Sequence, residues 1–159
     1  MKKMNMEHPE GQWLDPEELV VVRVFIDAGV RFLIVGGRAV QFHGHARPAK
    51  DLDLLVELSE ENWPKLQVAL RPLNASVPAY QDLAPQRKYQ AKLQFFETVE
   101  LLTAITGVRF ADAWSESIDA IFAGLRIRVL SKAHLILSKS GSRRPVDVDD
   151  LRHLEAGTL

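Results

Sequence analysis

The 159-residue chain contains no cysteine. That absence excludes disulfide frameworks, thiolate zinc sites and cysteine nucleophiles together, and it fits a reducing, cytoplasmic setting. An excess of charge of either sign is also missing. Lys and Arg total 20 against 21 Asp and Glu, for a net charge of −1. This balance argues against a strongly basic nucleic-acid coat, and no DNA-binding surface is expected. No apolar run approaches the roughly 20 residues of a membrane-spanning helix. The start, Met1 to Gln12, is polar and lacks the apolar core of a secretory signal. It is read as part of a flexible tail over residues 1–14, ahead of a single domain over 15–159. There is no internal repeat and no low-complexity segment. Hydrophobic residues make up 47% of the chain, enough for the core of one ordinary domain.

Asp15-Pro16-Glu17-Glu18 places a capping Asp, a Pro at the first helical position and two acids at the positive end of a helix. A helix is expected to about Asp27, ended by Gly29, although its valines also suit a strand. Arg31 to Val35 reads as a short apolar strand, broken by Gly36-Gly37. A short helix over Arg38 to His43, closed by Gly44, comes next, and then a strand over Asp51 to Glu57. Ser59 caps a helix to about Leu70, and Pro72 stops it. Asn74 to Lys88 is the longest loop candidate. Tyr89 to Phe96 and Thr98 to Ala104 read as a tight antiparallel pair. Phe110 to Trp114 suits a short helix. Ile118 to Phe122 and Leu125 to Leu130 form a hairpin around Gly124. Helices from Ser131 to Ser140 and from Val146 to Leu154 complete the chain. Interspersed helices and strands with late strand pairs predict an α+β (α/β) domain, a mixed sheet flanked by helices.

Chemistry concentrates between residues 36 and 56. On a strand, Asp51 and Asp53 project from the same face. Two carboxylates so close repel, and a cation between them relieves this. Hard oxygen ligands favour Mg²⁺, which takes one or two carboxylates plus substrate phosphates. A strand cap and a solvated face would also explain a bare Asp-x-Asp. Gly36-Gly37 changes the balance, because a glycine turn between strand and helix lets backbone N–H groups approach a phosphate.

Together, Gly36-Gly37, the following helix, His43-Gly44, Arg47 and Asp51-Leu52-Asp53 resemble the signature of the nucleotidyltransferase superfamily, the polymerase-beta-like fold. The likeness is to its small bacterial branch, which includes abortive-infection type toxins and, more distantly, lincosamide nucleotidyltransferases. The strong match spans Phe32 to Val56. The resemblance implies a third carboxylate on a neighbouring strand. The matching position is Glu100, the one acid in an apolar strand, where many relatives carry Asp. Glu100 is thus a metal ligand or a general base. Two Mg²⁺ ions are implied, with Mn²⁺ as a substitute, held by Asp51, Asp53 and Glu100.

The implied reaction moves a nucleoside monophosphate from a nucleoside triphosphate, such as ATP, to a hydroxyl acceptor and releases pyrophosphate. The acceptor class, whether small molecule, RNA or protein, stays open. So does a catalytically degenerate nucleotide-binding or toxin–antitoxin component of the same fold. A homodimer or a partner protein would complete so small a unit. Gly36 and Gly37 would cradle phosphate, and Arg38 at the helix start could reach it. Arg47 would neutralise phosphate or pair with an Asp. Lys139 would contact triphosphate or base, with Lys132 and Arg143 as less favoured candidates. Lys50 could simply screen Asp51. Zinc at His43 and His45 is disfavoured, since no third ligand lies nearby in sequence. Asp147, Asp149 and Asp150 read as first-turn acids of the last helix.

Overall fold

The computed structural model describes residues 3–5, 13–83 and 88–157. Its strands are β1 (Lys3–Asn5), β2 (Phe32–Val35), β3 (Leu52–Val56), β4 (Gln90–Leu93), β5 (Phe96–Leu102), β6 (Ile118–Phe122) and β7 (Leu125–Val129). Its helices are α1 (Pro16–Asp27), α2 (Gly36–Phe42), α3 (Asn62–Leu70), α4 (Tyr80–Leu83), α5 (Phe110–Ser115), α6 (Lys132–Lys139) and α7 (Pro145–Ala156). The strands form one sheet in the order β1-β6-β7-β2-β3-β5-β4. Pairing is parallel for β1/β6, β2/β7 and β3/β5 and antiparallel for the other three pairs. The expected mixed sheet with helices is therefore what forms.

Local chemistry explains most elements. Asp15 and Glu18 make a complete capping box: the Glu18 N–H donates to Asp15 Oδ1 at 2.8 Å, and the Asp15 N–H donates to Glu18 Oε1 at 3.0 Å. That cap decides for helix in the valine-rich stretch, whose Val21, Val22 and Phe25 enter the core. Ser131 caps α6 by accepting from the His134 N–H at 3.1 Å. All four residues of β2 are buried, as is fitting for a central strand.

The structure corrects three boundaries. The tail expected over residues 1–14 yields Trp13 and Leu14 to the core, where Trp13 is 2% exposed. The Trp13 indole N–H donates to the Arg38 carbonyl at 2.9 Å, and its ring packs on Phe42 and Phe122. Burying a ring of that size stabilises more than leaving the segment free. Lys3–Asn5 extend the sheet beside β6, while residues 1, 2 and 6–12 lie outside the described residues. The second correction is to α2, which begins at Gly36 rather than Arg38, so the paired glycines are its first turn. The third is to the loop expected over 74–88, which holds α4 and the buried side chains of Ala75 and Leu83. The Trp63 indole N–H ties it down by donating to the Pro78 carbonyl at 2.9 Å. Residues 84–87 of that loop lie outside the described residues. No helix among the described residues is long and apolar enough to cross a membrane.

Candidate functional site

Strand register builds the site. Val35 of β2 pairs with Asp53 of β3, Asp53 with Glu100 of β5, and Glu100 with Lys92 of β4. Residues in register on neighbouring strands point to one face, a few ångströms apart. Gly36, immediately after Val35, therefore lies against the Asp53 carboxylate. Asp51, two residues before Asp53, joins the same face. The three expected carboxylates thus meet at the ends of β2 and β3.

The electrostatics at Asp53 are unfavourable without a cation. Its Oδ1 is buried with no hydrogen-bond partner among the described residues. Burial first, and then the charges of Glu100 and Asp51 and a hydrogen bond with Glu100, push its carboxyl up to about 7. Among the described residues, Asp51 pairs with one cation: the Lys92 ammonium lies 3.1 Å from each of its oxygens. An orphaned buried oxygen beside two further carboxylates is a donor set that would suit a hard divalent cation such as Mg²⁺ or Mn²⁺.

The glycines are required by shape. Gly36 has φ +66°, and any side chain there would collide with the Asp53 carboxylate. A Cβ on Gly37 would lie 2.8 Å from the Ala49 methyl. Beside them opens a cleft of about 330 Å³ lined by Gly36, Gly37, Arg47, Lys50, Asp51, Asp53, Lys139, Arg144 and Asp147, with Ala49 and Val146.

No family model matches the chain, and no curated protein is a significant match to its sequence. Solved structures do match. The solution structure of the antibiotic-resistance factor ANT(2″)-Ia superposes with a TM-score of 0.59 at 18% identity, covering 91% of this chain and 85% of that one. A crystal structure of ANT(2″)-Ia with adenylyl-2″-tobramycin gives 0.55 at 17% identity, covering 87% and 86%. The lincosamide antibiotic adenylyltransferase LnuA, bound to lincomycin, gives 0.52 at 15% identity, covering 93% and 100%. The fold is a nucleotidyltransferase fold.

Within this nucleotidyltransferase fold the basic residues divide. Arg47 and Lys139 reach the cleft, but α7 engages both. Arg47 makes a two-pronged pair with Asp150 at 2.6 and 2.8 Å. Lys139 lies 2.9 Å from Asp147 and 3.0 Å from Asp150. Of the two alternatives for Arg47, pairing with an Asp is the one observed. The acids respond in kind. Burial would raise Asp150, but hydrogen bonds from Arg47 and Lys139 outweigh it and hold its carboxyl below the usual range. Asp147 behaves likewise, through Lys139 and Ser142. Lys50 lines the cleft with no carboxylate partner among the described residues, which leaves its charge available to an anion.

Arg38 is the clear correction. It does not face the cleft. Its guanidinium is buried and donates to both Glu18 oxygens at 2.6 and 2.9 Å, and to the carbonyls of Trp13, Ala49 and Lys50. All five N–H groups are used, so none is left for phosphate. Glu18 is equally satisfied, accepting also from the Thr98 hydroxyl at 2.8 Å and from the Asp15 N–H. His43 holds the end of α2 against Leu130, its Nε2–H donating to that carbonyl at 2.8 Å. Burial lowers its pKa despite that bond, and Lys132 lowers it further.

Sequence reasoning missed Lys92 and the roles of Glu18 and Asp150. For Lys92 the only signal was a lysine on a strand paired with the Glu100 strand. For Glu18 it was the fourth residue of a capping box. For Asp150 no local signal existed, because its partners are Arg47 and Lys139.

Proposed function

We propose that this chain is an enzyme, a metal-dependent nucleotidyltransferase that moves a nucleoside monophosphate onto a hydroxyl acceptor and releases pyrophosphate. The observation that carries this reading is Asp53, a buried carboxylate with an unpartnered oxygen set between Asp51 and Glu100. Asp51, Asp53 and Glu100 would hold Mg²⁺, two ions being expected, with Mn²⁺ as a substitute. When bound, the metal supplies charge neutralisation at the triphosphate and lowers the pKa of the acceptor hydroxyl. Gly36 and Gly37 let the phosphates come close to the backbone, and Lys50 adds the unpaired cation of the cleft. Arg47 and Lys139, fixed by Asp150, form its basic wall. The acceptor oxygen would bond to the α-phosphorus as the bond from that phosphorus to the oxygen bridging to the β-phosphate breaks, and Glu100 would serve either as a ligand of the ions or as the base that takes the hydroxyl proton. The resemblance to abortive-infection toxins supports a macromolecular acceptor or a partner protein as well as a small molecule.

One observation favours a second reading, nucleotide binding without transfer. Lys92 already sits on Asp51, where a cation would bind. Each α-³²P-labelled nucleoside triphosphate, incubated with Mg²⁺ in a bacterial lysate, separates the two. Label entering an RNA, protein or small-molecule fraction with wild type but not with Asp53→Asn supports transfer and names the acceptor class. Metal-independent nucleotide binding, with neither label transfer nor pyrophosphate release, supports the second reading.

A further inference from the structure

A second group of ligating atoms lies outside the carboxylate row. His45 sits on the loop after α2, and Asp149 and His153 sit one turn apart on α7. His45 Nε2 is 3.1 Å from Asp149 Oδ2. His153 Nδ1 is 3.7 Å from Asp149 Oδ1 and donates its N–H to the Asp149 backbone carbonyl at 3.0 Å, a bond that ligation through Nδ1 would replace. One ligand atom from each of the three falls within 4.8 Å of the others. The two imidazoles stack with centroids 3.7 Å apart and planes 10° apart.

We propose that His45, Asp149 and His153 form a site for a borderline divalent cation of the Zn²⁺ or Co²⁺ kind, with water completing its coordination. Two imidazole nitrogens and one carboxylate oxygen suit such ions and discriminate against Mg²⁺, whose all-oxygen donors are found instead at Asp51, Asp53 and Glu100. The two sites therefore select different metals.

The geometry states what binding requires. Zinc–nitrogen bonds of about 2.0–2.1 Å place tetrahedral ligand atoms about 3.4 Å apart. The three ligands must close on one another, and parallel rings cannot both aim in-plane lone pairs at one ion. His153 therefore turns off the stack. Its side chain is 50% exposed, while that of His45 is 12% exposed and held in place. Asp150 Oδ1 lies 3.6 Å from the same His45 Nε2, so it adds negative charge on the ligating side of the ring while remaining paired with Arg47 and Lys139. A bound ion ties the loop after α2 to α7. Because Asp150 and Asp147 of α7 hold Arg47 and Lys139 at the cleft, occupancy stiffens one wall of the candidate active site.

The test uses tag-free full-length protein in excess Mg²⁺, titrated with ZnCl₂ by calorimetry and with Co²⁺ by visible absorption. One saturable site is expected, with a rise in melting temperature and a tetrahedral Co²⁺ spectrum. His45→Ala and His153→Ala should each weaken zinc binding about tenfold or more, and Asp53→Asn should leave it unchanged. His153→Gln, at a half-exposed position, repeats the loss in a conservatively substituted fold. Absence of saturable zinc binding overturns the proposal, and so does unchanged affinity in His153→Ala and His153→Gln. Loss of zinc binding in Asp53→Asn overturns it too, by assigning the ion to the carboxylate row. None of these outcomes depends on whether nucleotidyl transfer occurs.

Discussion

Asp53 and Glu100 stand directly opposite each other on adjacent parallel strands, so that the Glu100 charge adds to burial in raising the Asp53 carboxyl.

That relationship sets a pH dependence. The Asp53 pKa rises from 3.8 to about 7 on folding, from burial first and then from Glu100 and Asp51. The folded protein thus holds the proton more tightly than the unfolded chain. This contribution is fully present below about pH 4 and is lost as pH rises through 7 in metal-free protein. Asp147 and Asp150 act in the opposite sense, since their pKa values fall on folding. Their contribution is present above about pH 4 and is lost in more acid solution. In EDTA, melting temperature should be lower at about pH 8 than at about pH 5. Asp53→Asn should remove most of that difference, and Mn²⁺ should raise the wild-type value at the higher pH. A pH slope unchanged in Asp53→Asn would show that this carboxyl is not the one titrating.

The buried Glu18–Arg38 pair is a structural joint. Arg38→Ala leaves Glu18 buried without its cation, so a loss of about 3–5 kcal/mol is expected. In a domain of this size that lowers the melting temperature by about 2–4 °C per kcal/mol. Nucleotide affinity per folded molecule should not change. A weakened affinity in a fully folded Arg38→Ala protein would return this residue to the cleft.

Lys92 competes with any cation for Asp51. The pair is half-exposed, so it contributes at most about 1 kcal/mol. Lys92→Ala should therefore tighten Mn²⁺ binding severalfold, read by the loss of the free-ion paramagnetic resonance signal. Weaker Mn²⁺ binding would mean that Lys92 helps hold the site together.

Gly36→Ala tests the close approach of α2 to Asp53. The left-handed backbone and the collision with the carboxylate together should cost about 1–3 kcal/mol. Label transfer should fall more steeply than stability, because the added methyl displaces Asp53. An Ala variant with wild-type transfer would remove Gly36 from the site.

How much was legible follows from how local each signal is. The capping box, the Ser131 cap and the apolar β2 run are short-range features, so α1, α6 and β2 were readable. Asp51 and Asp53 share a face through the two-residue strand period alone, and Glu100 stood out as an acid in an apolar strand. Arg38 was misplaced because its position beside two glycines says nothing about Glu18, 20 residues earlier. Asp150 was invisible as a partner of Arg47 because 103 residues separate them. His45 lacked a third ligand in sequence for the same reason, since Asp149 lies 104 residues away.

The sequence by itself determined most of the helices and strands, though not β1 or α4, together with the glycine turn and the pair of aspartates on one strand face, since caps, periodicity and backbone sterics act within a few residues. Only the tertiary structure decided which charges meet. Strand register brought Glu100 and Lys92 to Asp53 and Asp51. Packing of α7 supplied Asp150 to Arg47 and Lys139, and burial turned Arg38 inward to Glu18. A buried charge must find its counterpart wherever the chain places one, and that distance is not written in local pattern.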